Sequence, residues 1–257
     1  MTRAPERVPS QSADRVLRVL SMFLTDDGPL GVSDVSRSLD LDKSVVHRIL
    51  ATLVQHGYVE QQIPSRKYSL GLRAWELGKR YTVRSWLSET AVPLLADVLE
   101  QHGSTGYVAT LRDTEIVYLA TVDGAGPFQV SVDVGSRTSV VTTAIGHAIL
   151  AGLNPSQLAD VLDGIDFEEA LGVYPPGALD RAWLEAEIEA TRDRGYAYNR
   201  GHDRLGVGAV GAAILDGSGT SLAGVSIAFP MMSEYEYLWD LLAGEVCNVA
   251  REVSRRL

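Results

Sequence analysis

The sequence predicts an α+β protein in two parts: a helical head that closes with a β-hairpin, and a larger body that mixes strands with helices. Three observations predict it. The first 70 residues carry helical periodicity followed by two short strand-like runs. The later residues alternate strand patterns with helical ones, as in α+β domains. Charge divides the chain in the same region. Residues 1–80 hold 12 Lys and Arg against 9 Asp and Glu, whereas residues 81–257 hold 11 Arg, no Lys and 24 Asp and Glu. A mildly basic head on an acidic body sits behind the net charge of −10.

Residues 1–11, with Pro5 and Pro9, read as a flexible tail. Ser12 or Asp14 is placed to cap a first helix whose apolar positions are Val16, Leu20 and Phe23. Asp26-Asp27-Gly28-Pro29 stops it. Ser33 then caps a short helix bearing Val35 and Leu39, and a break follows at Asp40–Asp42. A longer helix runs from Lys43 to His56 and ends at Gly57, a favoured left-handed residue. Tyr58–Gln61 and Lys67–Leu70 read as two strands around a turn with Pro64 and Ser65. This order makes residues 12–70 a winged helix-turn-helix. Residues 71–84 read as a linker helix, and 85–257 as the second domain.

Within that domain a helix over 85–102 precedes strands at Gly106–Leu111 and Glu115–Val122. A glycine-rich loop at Gly124–Gly126 leads to a strand near Phe128–Val134. Helices are expected at Thr143–Leu153, Pro155–Leu162 and Leu179–Arg194. Tyr196–Tyr198, Val207–Leu215 and Leu222–Phe229 read as strands, and Glu234–Arg255 as a final helix.

The helix from Lys43 divides into two faces, broken only by Val54 in its last turn. Lys43, Ser44, His47, Arg48, Ala51 and Gln55 share one half of its circumference, and Val45, Val46, Ile49, Leu50 and Leu53 share the other. A helix that reads a major groove needs this division. Lys43 and Ser44 lie at the helix start, where backbone N–H groups favour phosphate. Arg48 has the fork that recognises guanine, and His47 reaches bases or phosphates. Ser33 on the preceding helix, and Arg66 and Lys67 at the hairpin tip, complete the candidate DNA-binding set. A plain amphipathic surface helix would show the same polar face, and a winged helix can bind protein instead. The tight turn before the helix, the basic hairpin after it and the positive local charge favour double-stranded DNA.

SADRVLRVLSMF, LDKSVVHRILATLVQHGYVEQ and RKYSLGLRAWELG resemble the DNA-binding half of IclR-type transcriptional regulators. TTAIGHAILAGL, RGYAYNRG and GVGAVGAAILDGSGTSLAGVSIAFP resemble their effector-binding half. The resemblance covers about residues 12–255 in order. It implies a bacterial regulator, usually a tetramer built as a dimer of dimers. It also implies a C-terminal domain similar to GAF domains that senses a small organic, often aromatic, acid.

Three segments of the second domain supply a candidate pocket. Thr143 caps a small-residue helix whose first turn, with Ala144 and Gly146, offers N–H groups to an anion. Asn199 follows a strand and offers both an amide donor and an acceptor. Ser226 interrupts an apolar strand. The ligand body is expected on Ala209 and Val225. Each residue also has a structural reading: Thr143 as a cap, Asn199 as a turn residue, Ser226 as a partner for backbone. The run Arg200, His202, Asp203, Arg204 reads as solvated or as a pocket rim. IclR-type sensors of very small keto acids carry Asp, Cys and a second Ser where this chain has Asn199, Ala209 and Ala228. The resemblance therefore implies a larger or more apolar acid.

Other classes are disfavoured. No apolar run is long enough to span a bilayer, and the N-terminus lacks the apolar stretch of a signal peptide. With one cysteine, Cys247, there is no disulfide framework or multi-cysteine metal site, and a cytoplasmic setting is expected. No two histidines stand three or four apart, and no nucleophile elbow or P-loop occurs. Gly206, Gly208 and Gly211 spell a dinucleotide-like pattern, but a strand follows where that motif needs a helix. The expected protein is a homo-oligomeric regulator without a cofactor or metal and without enzymatic activity. The alternative is a winged-helix tether fused to a small-molecule enzyme domain.

Overall fold

In a computed structural model the described residues are 10–24, 28–79, 82–102, 104–126, 129–168, 178–232 and 237–257. The chain divides into two compact units, residues 1–82 and 83–257.

The first unit contains α1 (Gln11–Ser21), a short 3-10 turn, α2 (Val32–Leu39) and α3 (Lys43–Gln55). The hairpin β1 (Val59–Gln61) and β2 (Tyr68–Leu70) follows, then α4 (Leu72–Lys79). The apolar stripe of α3 makes the core. Val46 and Leu50 are fully buried, and Ile49 and Leu53 nearly so, against Val19, Val35, Val59 and Tyr68. Each such side chain contributes about 1.5–3 kcal/mol on burial. Asp40 ends α2 in the left-handed conformation, and Gly57, at φ 74°, follows α3. Two caps differ from expectation. Ser10, not Ser12 or Asp14, caps α1 by accepting from Ala13 N. Helix α2 begins after Gly31, whose N–H donates to Asp34 Oδ2 at 3.1 Å, so Ser33 lies inside the first turn. In both cases the helix starts at least two residues earlier than the expected cap would place it.

The second unit begins with α5 (Thr82–His102). The expected linker helix is thus described as two helices, α4 and α5, with residues 80–81 outside the described set. Trp86 belongs to α5 and packs on the second unit's core. There follow β3 (Thr105–Arg112), β4 (Glu115–Asp123), β5 (Arg137–Ser139), α6 (Ala144–Ala151), α7 (Pro155–Gly164) and α8 (Arg181–Arg194). The chain ends with β6 (Ala197–Arg200), β7 (Val207–Leu215), β8 (Ser221–Pro230) and α9 (Leu238–Arg255). The six strands form one antiparallel sheet in the order β5-β4-β3-β8-β7-β6.

Alternation along the strands sorts their side chains between two cores. On one face Val225, Ile227 and Phe229 of β8 and Val210, Ala212 and Ile214 of β7 pack with α5 and α9. On the other face lie α6, α7 and α8. There the strands offer small residues, Gly211 and Gly224 among them. A Cβ on Gly224 would lie 2.8 Å from Ile145 Cγ1. Missing side chains on the sheet let α6 lie close to it.

The strand expected near Phe128–Val134 is not formed among residues 129–133; residues 127–128 lie outside the described set. Side chains rather than a strand partner satisfy this backbone. Val130 N donates to Thr105 Oγ1 at 3.2 Å, the Tyr107 hydroxyl donates to Val130 O at 2.6 Å, and the Thr121 hydroxyl donates to Val132 O at 2.9 Å. The third strand is instead Arg137–Ser139, paired with β4. The final helix is described from Leu238, with 233–236 outside the described residues. Among the described residues no helix is long and apolar enough to cross a membrane.

Candidate functional site

The first unit presents a polar face built on α3. Lys43, Ser44, His47 and Arg48 are exposed, while the opposite side of the helix is buried. Asp42 stands at the N-cap without accepting a side-chain hydrogen bond, so the first N–H groups of α3 are not closed by a cap. The Ser36 hydroxyl donates to Leu41 O at 2.6 Å and pins the turn that aims α3. Ser33 is exposed on α2, and Arg66 and Lys67 are exposed between the hairpin strands. Arg48 also shares a groove with Ser12 and Arg15 of α1. Sequence reading missed Arg15, because it treated α1 only as a packing helix.

In the second unit a small pocket, with a cavity volume of about 40 Å³, lies over the sheet beside the first turn of α6 and opens to solvent. Of the six expected effector residues, Thr143, Ala144, Asn199, Ala209 and Ser226 line it, and Gly146 does not. Gly146 serves close approach instead, since a Cβ there would lie 2.6 Å from Val140 O.

The polar groups are less free than the sequence suggests. Thr143 Oγ1 accepts from Gly146 N at 3.1 Å and donates to Ser139 O at 3.2 Å. Asn199 donates through Nδ2 to Thr142 O and accepts from His202 N at 2.7 Å. Both side chains hold the walls in place. Ser226, on β8, is buried, and its hydroxyl has no hydrogen-bond partner among the described residues. Val225 is on the opposite face of the sheet, as alternation requires, so the expected apolar contact passes to Val130, Val132 and Val207.

Sequence reading missed the two tyrosines and only half-identified the charged rim. Tyr107 and Tyr118 line the pocket with their rings edge to face at 5.5 Å. Burial pushes the Tyr118 phenol up to about 12, with the negative charge of Asp203 adding to it. Burial, then Tyr118, push the Tyr107 phenol still higher. Both therefore stay neutral near pH 7. From the charge run, Asp203 and Arg204 line the pocket, whereas Arg200 stacks on Trp239 at 4.9 Å on the α9 face. A charge run in a single sequence gives no signal that divides it this way.

Behind the pocket, His147 of α6 is fully buried, and its Nε2 donates to Val141 O at 2.7 Å. Burial, opposed by that hydrogen bond, lowers its pKa from 6.5 to about 4. The unfolded chain therefore takes up this proton first as pH falls. The stability from a neutral His147 is complete above about pH 6.5 and is lost on descent towards pH 4, by up to about 3 kcal/mol. Urea titrations at stepped pH should show this slope, and His147→Gln should flatten it. An unchanged slope in that variant would assign the pH dependence elsewhere.

Comparison with known proteins agrees with this arrangement. Residues 12–62 match the family model of the IclR helix-turn-helix domain. Residues 79–255 match that of the C-terminal domain of the bacterial transcriptional regulator IclR. The HTH-type transcriptional regulator BhcR of Paracoccus denitrificans is 27% identical over 244 residues, covering 95% of this chain and 86% of that protein. The fold is shared with an IclR transcriptional regulator from Alicyclobacillus acidocaldarius, at TM-score 0.80 and 22% identity over 96% of this chain and 99% of the other. It is also shared with an IclR homologue from Microbacterium hydrocarbonoxydans complexed with 4-hydroxybenzoate. That match has TM-score 0.79 and 23% identity, over 95% of this chain and 98% of the other. With both halves matched in sequence, this chain belongs to the IclR family of bacterial transcriptional regulators.

Proposed function

We propose that the protein binds a near-palindromic operator through α3 and senses a small organic acid, aromatic in character, in the pocket of its second unit. The observation that carries the reading is the pocket's composition. Two neutral tyrosines and several Val and Ala side chains form the walls, with one guanidinium, from Arg204, and a serine hydroxyl without a partner. The 4-hydroxybenzoate bound by the Microbacterium homologue has the same mixture of flat apolar body and acid. The ligand is sensed and released rather than transformed. Unchanged acid recovered after prolonged incubation with the protein supports this, and turnover would favour the enzyme alternative.

Gel shifts on operator DNA, with and without aromatic acids, test the whole reading. Arg48→Ala should weaken specific binding by about 1–3 kcal/mol, or roughly 5- to 150-fold, if its fork reads a base. Lys67→Ala should weaken all sequences about equally and reduce the salt slope by about one. Unchanged affinity in both variants would remove α3 and the hairpin from the interface.

A second copy of the chain is part of the proposal, since a near-palindrome presents two half-sites. Leu72, Trp75 and Leu77 are each more than 60% exposed on α4, a costly arrangement for a lone chain. Light scattering should give a multiple of 27.8 kDa, with the dimer of dimers as the expected form. A monomer at micromolar concentration would refute this.

A further inference from the structure

The cavity beside α6, at about 40 Å³, has room for a few waters, whereas small-ligand sites span roughly 300–1,000 Å³. An organic acid therefore enters only if one wall withdraws. Three walls are fixed. The floor is β3, β8 and β7, in the middle of the sheet. Helix α6 is pressed onto that sheet at Gly211 and Gly224. Val130 and Val132 are tied down by hydrogen bonds with Thr105, Tyr107 and Thr121. The fourth wall is the loop 201–206, which adds Asp203 and Arg204 to the lining. It leaves β6 at Gly201 and enters β7 after Gly206, and both glycines stand in the left-handed conformation, at φ 87° and 77°. Arg204, Leu205 and Gly206 are exposed, Leu205 by 76%, so little apolar burial holds the tip down. The inner end is fastened through His202. Its backbone N–H donates to Asn199 Oδ1 at 2.7 Å. Its ring meets the Trp183 ring edge to face, with centroids 5.1 Å apart and planes at 84°. Trp183, in the first turn of α8, meets His147 in the same manner at 5.5 Å and 69°. His147 in turn bonds Val141 O, just before α6. The His202 ring thus joins the loop to a column anchored beside the fixed helix.

We propose that residues 201–206 form a lid, that the His202 ring on Trp183 is its latch, and that effector binding breaks this contact as the lid swings out. The inference rests on the cavity being the effector site. Because the latched state has no room for the ligand, the latch competes with binding. The apparent affinity is then the intrinsic one reduced by the fraction of molecules whose lid is open. Neither His202 nor Trp183 lines the cavity, so both act by positioning the lid rather than by touching the ligand. A single edge-to-face ring pair shifts such an equilibrium by about 2- to 10-fold.

The test is hydrogen exchange and calorimetry of the full chain, with 4-hydroxybenzoate as the probe. In the ligand-free protein, His202→Ala should speed amide exchange across residues 202–207 by about 2- to 10-fold and leave β8 unchanged. The same variant should bind 4-hydroxybenzoate about 2- to 10-fold more tightly than the wild type. Damage to a merely structural contact would weaken binding instead. His202→Phe keeps a ring for Trp183 and should return both readings to within about twofold of the wild type. Melting curves confirm that the variants are folded. Unchanged exchange in His202→Ala, binding by it no tighter than wild type, or a His202→Phe variant that behaves like His202→Ala would each overturn the latch. If exchange responds as expected while neither the wild type nor any variant binds 4-hydroxybenzoate, the lid stands and the aromatic-acid reading of the pocket fails.

Discussion

Replacing Gly211 by alanine is expected to destabilise the second unit by about 1–3 kcal/mol and to weaken ligand binding sharply. The cause is one methyl group. A Cβ at Gly211 would lie 2.7 Å from Ala144 O, 2.8 Å from Ala144 C and 3.0 Å from Ile145 N. All three are backbone atoms in the first turn of α6, so no side chain can rotate out of the way. Either β7 bends or α6 lifts from the sheet. Lifting α6 moves Ala144, which lines the pocket, and disturbs the Thr143 cap. Gly217 is the control. A Cβ there meets nothing within 4 Å, so Gly217→Ala should be neutral or slightly stabilising. Urea midpoints for the two variants, beside calorimetry with 4-hydroxybenzoate, decide the matter. Similar midpoints for both would mean that the helix adapts and that its distance from the sheet is not set by Gly211.

The same glycine shows what a sequence makes legible. Gly206, Gly208 and Gly211 look like one motif in the chain, and in the fold they serve three separate needs. Gly206 supplies a positive φ, Gly208 leaves room for the Trp239 ring, and Gly211 admits the α6 backbone. Local patterns were readable because their cause is local. The buried stripe of α3 follows from a 3.6-residue period, and β7 and β8 follow from apolar runs flanking a turn. Groups whose partners come from far along the chain were not readable. Val130 is held by Thr105 and Tyr107, and Asn199 by Thr142, through contacts that exist only after folding. For the same reason residues 129–133 carry a strand-like composition and form no strand. Thr143 and Asn199 line the cavity, yet their hydrogen bonds are spent on its walls. Asp203 and Arg204, which line it, lay in a run that reads as solvated, and Arg204 is exposed.

That leaves Ser226 as the candidate side chain most directly available to a ligand, and Ser226→Leu is expected to abolish ligand binding, by at least about 100-fold. Ser226 stands in the middle of the sheet, opposite Tyr107 on β3 and Gly211 on β7. It points with Ala228 to the pocket side and is 4% exposed. A leucine there places a branched body where the ligand would lie, among Tyr107, Ala209 and the first turn of α6. The cost to folding is that of overpacking, about 1–3 kcal/mol, lessened because the pocket itself takes the added atoms. Ser226→Ala separates the two effects. It keeps the space and removes the hydroxyl, so binding should weaken by only about 3- to 10-fold, the worth of one ordinary hydrogen bond. Operator affinity without ligand should remain within about twofold of wild type in both variants, because Lys43–Gln55 lies in the other compact unit. Normal ligand binding by Ser226→Leu would put the effector elsewhere. Loss of operator binding in the absence of ligand would show instead that Ser226 serves the fold.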